Sequence, residues 1–433
     1  MDRLTGNIAT VCVAQFVVVL DTTIVTTALP AIGPALGFAP GGLSWVITAY
    51  TVVFGALLVP FGRLADLLGP RRAFRLGTAL FVGASAGCAL AWAPAALVVA
   101  RAVQGAGSAL LSPAALALLT AMTEPGAARR KAVGWWTAAA ACGGASGWVL
   151  GGLLTEFLDW RSVFWVNVPI GLLLLGVRRL PAGERRDVRV DIAGAALTIA
   201  AVGLVVYALA GVPAVTSWLL LVLAVAAAAG LVRRLRRTAD PLLPVLRVAA
   251  GANLTALGLT AATTPVMYLA TLYVQEVCRL SPARAALLFP VFNVAVVAAS
   301  LAAPSLLRVL GARRTLLAGF ATVAAGTVVF ATLPAGGMPV TQLVAGFAVL
   351  GAGLGAASVA STHAGTEAAR EHHGVASGAL NSSAQLGTAV GLALLAPFAA
   401  DYRLGFLGAG VVALAGTAAA LLVPRGTAEV AVG

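Results

Sequence analysis

One carboxylate stands inside an apolar run. Asp21 lies within Ile8 to Ile32, in the order Leu20-Asp21-Thr22-Thr23-Ile24-Val25-Thr26-Thr27-Ala28-Leu29-Pro30. A run of that length can cross a bilayer, which takes ~20 apolar residues. An ionised Asp at the bilayer centre costs about 2.5–3.5 kcal/mol on insertion scales, so such a residue faces a protein-lined cavity or a cation. Two chemistries fit: handling of a proton or substrate, or a permanent structural ion pair. Arg101 is the basic residue set inside another apolar run. It falls about two helical turns below the outer end of its span and Asp21 roughly three, which places them within a turn of each other in depth. A guanidinium favours an ionised neighbour and desolvation a neutral one, so a conformational change that alters either loads or releases a proton.

A second group is Gly62, Asp66, Gly69, Arg71 and Arg72, in a short cytoplasmic connection. A carboxylate there can bond N–H groups at a helix start or nearby guanidinium groups, while the glycines allow close approach and a tight turn. This is a conformational latch or a solvated basic loop that only fixes topology. Gly143, Gly147 and Gly151, with Gly152 beside them, recur at four-residue spacing and suit close helix packing. Trp45, Tyr50, Gln104, Tyr268, Gln275, Asn293, Asn381 and Gln385 are candidates to line a substrate cavity. Asn381 and Gln385, one turn apart, serve equally well as interhelical hydrogen-bond partners. His363, His372 and His373 fit no standard metal-ligand spacing, and no metal site is expected. Cys12, Cys88, Cys142 and Cys278 form no disulfide framework and read as small core residues. Neither a phosphate-binding loop nor a hydrolytic constellation is present, so no enzyme and no cofactor are expected.

The elements that hold these residues are membrane spans. Sixty per cent of the residues are hydrophobic and 10% charged, with mean hydropathy +0.98, against about 25% charged in a soluble domain. Neither an inserted soluble domain nor a cleavable signal is expected. Spans are read at 8–32, 43–61, 73–92, 95–121, 132–156, 162–180, 191–211, 216–235, 252–277, 284–306, 315–333, 340–362, 375–399 and 404–424. The fold class is therefore all-α integral membrane, with 14 transmembrane helices. Of the 28 basic residues, 23 fall at the N-terminus or after even-numbered spans; Arg161, Arg279, Arg284 and Arg403 fall in the opposite loops. By the positive-inside rule both termini are cytoplasmic. The net charge of +13 is thus an orientation signal, and no nucleic-acid partner is expected. Trp160, Trp165 and Trp218 sit near outer span ends, as an aromatic belt would. A single lysine, Lys131, among many arginines, with heavy Ala, Gly and Pro usage, suggests a GC-rich bacterial genome.

The chain repeats. Leu64, Leu68, Gly69, Arg71, Arg72 and Gly77 match Leu306, Leu310, Gly311, Arg313, Arg314 and Gly319 at one offset. Six spans per repeat plus two inserted spans give a six-helix bundle over 1–180, an insert with cytoplasmic linkers over 181–251 and a second six-helix bundle over 252–433. Repeated halves around a central site are a transporter architecture. Asp66 becomes Arg308 in the second copy, and Gln104 becomes Leu350.

These segments resemble the major facilitator superfamily. Gly62 to Arg72 is similar to its loop motif, Arg101-Ala102-Val103-Gln104-Gly105-Ala106-Gly107 to its fourth-helix motif, and Gly143 to Gly152 to the fifth-helix motif of its antiporters. Leu20-Asp21-Thr22-Thr23 through Leu29-Pro30, and Trp160-Arg161 through Asn167-Val168-Pro169-Ile170-Gly171, resemble signatures of the fourteen-helix drug:proton antiporter branch. The resemblance implies a bacterial cytoplasmic-membrane exporter of an amphipathic small molecule, driven by the proton gradient and acting as a monomer in the lipid bilayer. It assigns proton coupling to Asp21 and Arg101. A facilitator or exporter of a native metabolite without proton coupling, and a receptor that transports nothing, are the alternatives.

Overall fold

A computed structural model describes residues 3–39, 42–177, 180–181, 190–209, 214–237, 249–334, 336–368 and 373–424. Arg178, Arg179, Arg185, Arg186, Arg189, Arg247, Arg370 and Arg425, on which part of the charge reading rests, and His372 of the histidine group lie outside the described residues. Every regular element among the described residues is helical: α1 Arg3–Leu36, α2 Trp45–Leu68, α3 Pro70–Ala89, α4 Pro94–Ala121, α5 Ala127–Phe157, α6 Ser162–Trp165, α7 Asn167–Gly176, α8 Ile192–Leu209, α9 Ala214–Arg237, α10 Ala250–Leu272, α11 Pro282–Ala286, α12 Phe289–Ala331, α13 Val340–Ala368, α14 His373–Leu395 and α15 Tyr402–Leu421. Ten stretches among the described residues are long and apolar enough to cross a membrane, and two more apolar helices, Ser162–Gly176 and Ile192–Ala208, are shorter. The chain forms two compact units. The first is Met1–Ala39, Trp45–Ala195 and Ser281–Leu287; the second is Pro40–Ser44, Ala196–Leu280 and Leu288–Gly433.

The expected loop at Gly62–Arg72 is mostly helix. α2 runs on to Leu68 because Ala65 is buried and Gly62 passes under Pro113, whose Cβ lies 3.8 Å from where a Gly62 Cβ would stand. Gly69 alone breaks the chain, at φ 86°, and Pro70 starts α3 at once. A positive φ is routine only for glycine, and proline suits the first helical position. The second unit repeats the device inside α12 at Gly311, φ 77°. The two expected spans at 284–306 and 315–333 are therefore one run with a one-residue break.

Glycines set the helix spacing of the first unit. A Cβ added to Gly105 would lie 2.5 Å from the Tyr50 carbonyl oxygen; one on Gly107 would lie 2.6 Å from the Phe81 nitrogen, and one on Gly77 2.7 Å from the Leu111 nitrogen. α4 thus touches the backbones of α2 and α3. Gly143, Gly147 and Gly151 of α5 meet the carbonyl groups of Phe16, Leu20 and Ile24 on α1. Gly152 turns away to Pro282 and Ala286 of α11. The second unit uses the same contacts: Gly351 on the Phe292 carbonyl, Gly353 on the Val323 nitrogen, Gly319 on Ala357, and Gly387 and Gly391 of α14 on the carbonyls of Leu257 and Ala261 in α10.

Two side-chain expectations change. Cys142 is exposed rather than core, because it lies off the face of α5 that seats on α1; Cys88 is buried, and Cys12 and Cys278 are half-buried. Trp160 is buried rather than at a surface belt, covered by the Arg161 guanidinium at 4.3 Å and edge-on to Phe164.

Substituting Gly107→Val or Gly143→Val is expected to cost ~1–3 kcal/mol, the usual range for overpacking. Gly83→Ala, on an open face of α3 with nothing within 4 Å, is expected to stabilise by about 0.5–1 kcal/mol through helix propensity. Thermal unfolding in micelles checks both signs; equal midpoints for all three would overturn the packing account.

Candidate functional site

The site lies in the first unit, where α1, α3, α4 and the α6–α7 junction meet. Asp21 and Arg101 are in direct contact: Arg101 Nη1 donates to Asp21 Oδ2 at 2.6 Å, with the two side chains 0% and 1% exposed. Their neighbours follow from helical periodicity. Gln104 is three residues after Arg101 on the same face of α4. Its Nε2 donates to Asp21 Oδ1 at 2.8 Å, while its Oε1 accepts from Arg101 Nη1 at 2.7 Å. Ser85 and Cys88 hold the same spacing on α3. Ser85 Oγ accepts from Gln104 Nε2 at 3.1 Å and donates to the Phe164 carbonyl at 2.9 Å; Cys88 Sγ faces Gln104 Oε1 at 3.6 Å. Asn167, the first residue of α7, donates from Nδ2 to Asp21 Oδ1 at 2.8 Å and to Ser85 Oγ at 3.1 Å.

Arg101 is satisfied on its other side too. Its Nε donates to the Val46 carbonyl at 2.9 Å, and the guanidinium lies 4.4 Å from the centre of the Tyr50 ring. A desolvated cation over an aromatic face is worth about 2 kcal/mol. The Tyr50 hydroxyl donates to Ser108 Oγ at 2.8 Å. Gly105, seated on the Tyr50 backbone, brings α2 close enough for both contacts. The pair is therefore fully desolvated, and that loss is offset by hydrogen bonds from two helices, α4 and α7, onto one carboxylate. Such a site holds a negative charge in its present arrangement. Protonation on Oδ1 would remove the counter-charge of Arg101, though not its bond to Oδ2, and place an O–H among N–H donors.

The other sequence-predicted residues spread out. Tyr50 and Gln104 belong to this network, and Trp45 is half-buried at the start of α2. Asp66 is half-buried in the last turn of α2, Arg71 half-buried and Arg72 exposed in the first turn of α3. In the second unit Tyr268 is buried, and Asn293 donates to the Phe289 carbonyl of its own helix at 3.4 Å. Gln275 is half-buried, Asn381 exposed and Gln385 half-buried. Between α10 and α14 runs a polar seam: Ser383 donates to Asn253 Oδ1, and Thr260 to the Ala384 carbonyl. Among the described residues no group of three or more His, Cys, Asp and Glu could hold a metal ion, and His363 pairs with Glu367 at 3.6 Å. Ser85, Cys88 and the site role of Asn167 escaped the sequence reading. The available signal was the three-residue spacing of Ser85 and Cys88, and an amide beside the Trp160-Arg161 pair.

Comparison with known proteins gives the family. The model of the Major Facilitator Superfamily matches residues 11–272 and 248–432. The chain is 39% identical to the cephamycin export protein CmcT of Amycolatopsis lactamdurans, over 89% of this chain and 82% of the relative. It is 38% identical to a puromycin resistance protein of Streptomyces alboniger, covering 90% and 80%, and 33% identical to a tetracenomycin C resistance and export protein of Streptomyces glaucescens, covering 89% and 74%. Among solved structures, a bacterial homologue of the human drug peptide transporters is similar in fold, with TM-score 0.68 at 17% identity, covering 97% of this chain and 98% of that one.

Removing one partner of a buried ion pair costs about 3–5 kcal/mol, because the other charge is left stranded. Arg101→Leu is therefore expected to lower the unfolding midpoint sharply, and adding Asp21→Asn to recover more than half of that loss. The non-additivity of the cycle measures the coupling. Additive losses would mean that the two residues do not form a stability-bearing pair.

Proposed function

The chain belongs to the major facilitator superfamily, and from that premise we propose that it exports an amphipathic, antibiotic-like small molecule across the bacterial cytoplasmic membrane in exchange for protons. It is a multi-pass membrane transporter-family protein and not an enzyme. The observation that carries the coupling is the fully desolvated carboxylate of Asp21, bonded to Arg101 within an apolar bundle. A buried charge is costly and marks a functional pathway by default. The export direction and cargo class are supported by relatives named for export of, or resistance to, cephamycin, puromycin and tetracenomycin C.

The rest of the reading follows. Counting the run that breaks at Gly311 as two crossings, and adding Pro70–Ala89 and the two shorter apolar helices to the other long ones, gives fourteen spans. The bundles are 1–180 and 252–433, the inserted pair lies in 181–251, and both termini are cytoplasmic. The protein works as a monomer by alternating access of the two halves. Asp21 exchanges protons with the outside, and Arg101 tunes it. Gly62, Asp66, Gly69, Arg71 and Arg72 act as a cytoplasmic latch. Two guanidinium groups in the first turn of α3 oppose the helix dipole, which favours a carboxylate close by, and Asp66 stands one turn before the break. Gly143, Gly147 and Gly151 hold α5 on α1, and Gly152 seats α11. Trp45, Tyr50 and Gln104 of the first unit and Tyr268, Asn293, Asn381 and Gln385 of the second are the candidates to line the substrate cavity.

Everted membrane vesicles energised to an acid interior test this. With a panel of neutral, acidic and cationic aromatic antibiotics, some compounds are expected to release protons, read by a pH dye, and Asp21→Asn is expected to reduce that release to background. Cargo movement without a proton signal, or an Asp21→Asn protein that matches the wild type, would make the chain a facilitator. Absence of flux for any compound would favour the receptor reading.

A further inference from the structure

Two amides bond the same oxygen of Asp21, and they are not alike. Gln104 is locked at both ends. Its Oε1 accepts from Arg101 Nη1 at 2.7 Å and its Nε2 donates to Asp21 Oδ1 and Ser85 Oγ. Turning it over would press an amino group against the guanidinium. Asn167 is held at one end only. Its Nδ2 lies between Asp21 Oδ1 and Ser85 Oγ, so that end is the donor. Its Oδ1 is buried and has no hydrogen-bond partner in the protein, and the residue is wholly buried. A buried acceptor left unpaired is unfavourable.

That asymmetry matters when Asp21 takes up a proton. A carboxylate only accepts, whereas a carboxylic acid also donates one O–H. A proton on Oδ1 would face the N–H groups of Gln104 and Asn167. A half-turn of the Asn167 amide about its terminal torsion places its Oδ1 where Nδ2 now stands, ready to accept that O–H. We infer that Asn167 is the positioning residue that reads the protonation state of Asp21, donating to the carboxylate and accepting from the acid. The proton comes from water, forms the Asp21 Oδ1–H bond and returns to water on release; the turn breaks no covalent bond. Arg101 keeps Oδ2 throughout. Ser85, whose hydroxyl now donates to the Phe164 carbonyl, re-aims at the turned amide oxygen. At its far end the turn exchanges an unpaired oxygen for an unpaired amino group, so the two orientations are comparably penalised and the Asp21 proton decides between them.

The titratable or charged groups around Asp21 among the described residues are Arg101 on α4, Tyr50 on α2 and Cys88 on α3. α5 presents glycines to α1, α6 contributes Phe164 and α7 contributes Asn167. Among the described residues no second carboxylate bonds to this network.

This inference rests on the proton-handling reading of Asp21, and its test separates the two. Purified protein titrated with acid is followed by infrared difference spectroscopy, and the carboxylic-acid carbonyl band lost in Asp21→Asn is assigned to Asp21. In Asn167→Leu that band is expected to shift, with a change of about tenfold in proton affinity, one pH unit of midpoint. In Asn167→Ser, whose hydroxyl both donates and accepts, the band is expected to return toward the wild-type position. If Asn167→Leu does not fold, Asn167→Ala against Asn167→Ser reads the same contrast. An unmoved band and midpoint in a folded variant overturns the inference, as does the lack of any Asp21 band across the titration. Wild-type vesicles that move cargo without protons, while the band still depends on residue 167, would overturn antiport and leave the Asn167 assignment standing.

Discussion

A carboxylate taken wholly out of water needs more than one partner, and the first unit is arranged to supply them. Arg101 gives Asp21 a counter-charge, yet through a single nitrogen, since Nε is spent on the Val46 carbonyl. The remaining oxygen is satisfied by two amides from different helices. Each donor must arrive within hydrogen-bond range without a water between. That requirement explains why the helices beside the site meet through glycine. Gly105 draws the backbone of Tyr50 in, and Gly77 with Gly107 closes α3 on α4, which brings Ser85 and Gln104 together.

The second unit shows what the same frame does without a charge. Its glycines make the equivalent contacts, so the registers align: Tyr50 with Phe292, Gly107 with Gly353, and Phe16 with Leu257. In that register Asp21 corresponds to Ala262 and Arg101 to Phe347, both buried. Phe347 packs 5.1 Å from both Phe289 and Phe330, and Phe330 stacks on Phe406. An aromatic cluster fills the volume that ions and amides fill in the first unit. The frame is therefore a packing solution that both repeats share, and the polar centre is an addition to one of them, as expected if chemistry and scaffold are separable.

Charged residues in apolar runs are rare and costly, which is why Asp21 and Arg101 stood out in the bare sequence and why their similar depth followed from helical rise alone. The α5 glycines were legible for a similar reason, though four-residue spacing could not show that Gly152, next to Gly151, faces a different helix. The membership of Ser85 and Asn167 was hidden. Small polar residues in apolar helices often bond their own backbone, as Thr27 does to Ile24 and Thr78 to Phe74. Only the fold shows that Ser85 reaches Phe164 on another helix instead. The connection at Gly62–Arg72 was misread as a loop because charge and glycine content mark loops, whereas one glycine at positive φ suffices to turn the chain.

Frame and centre also divide the work of any change of state. Where helices touch through backbone atoms, they cannot slide or part by a fraction of an ångström without losing close packing. α1 against α5 and α2 against α4 are joined in that way. A change in the charge of Asp21 must then be absorbed by side chains that can rotate in place, or by moving a unit as a whole. Of the groups around Asp21, Arg101 and Gln104 pin each other through the 2.7 Å bond between them. Tyr50 is pinned by Ser108 and by its place beneath the guanidinium. The freedom left in the network lies with Asn167, the first residue of α7, whose amide oxygen has no hydrogen-bond partner. Under the proton-handling reading, a change of one proton would be registered by side chains at the α6–α7 junction, because the close glycine contacts leave the neighbouring backbones no room to shift separately.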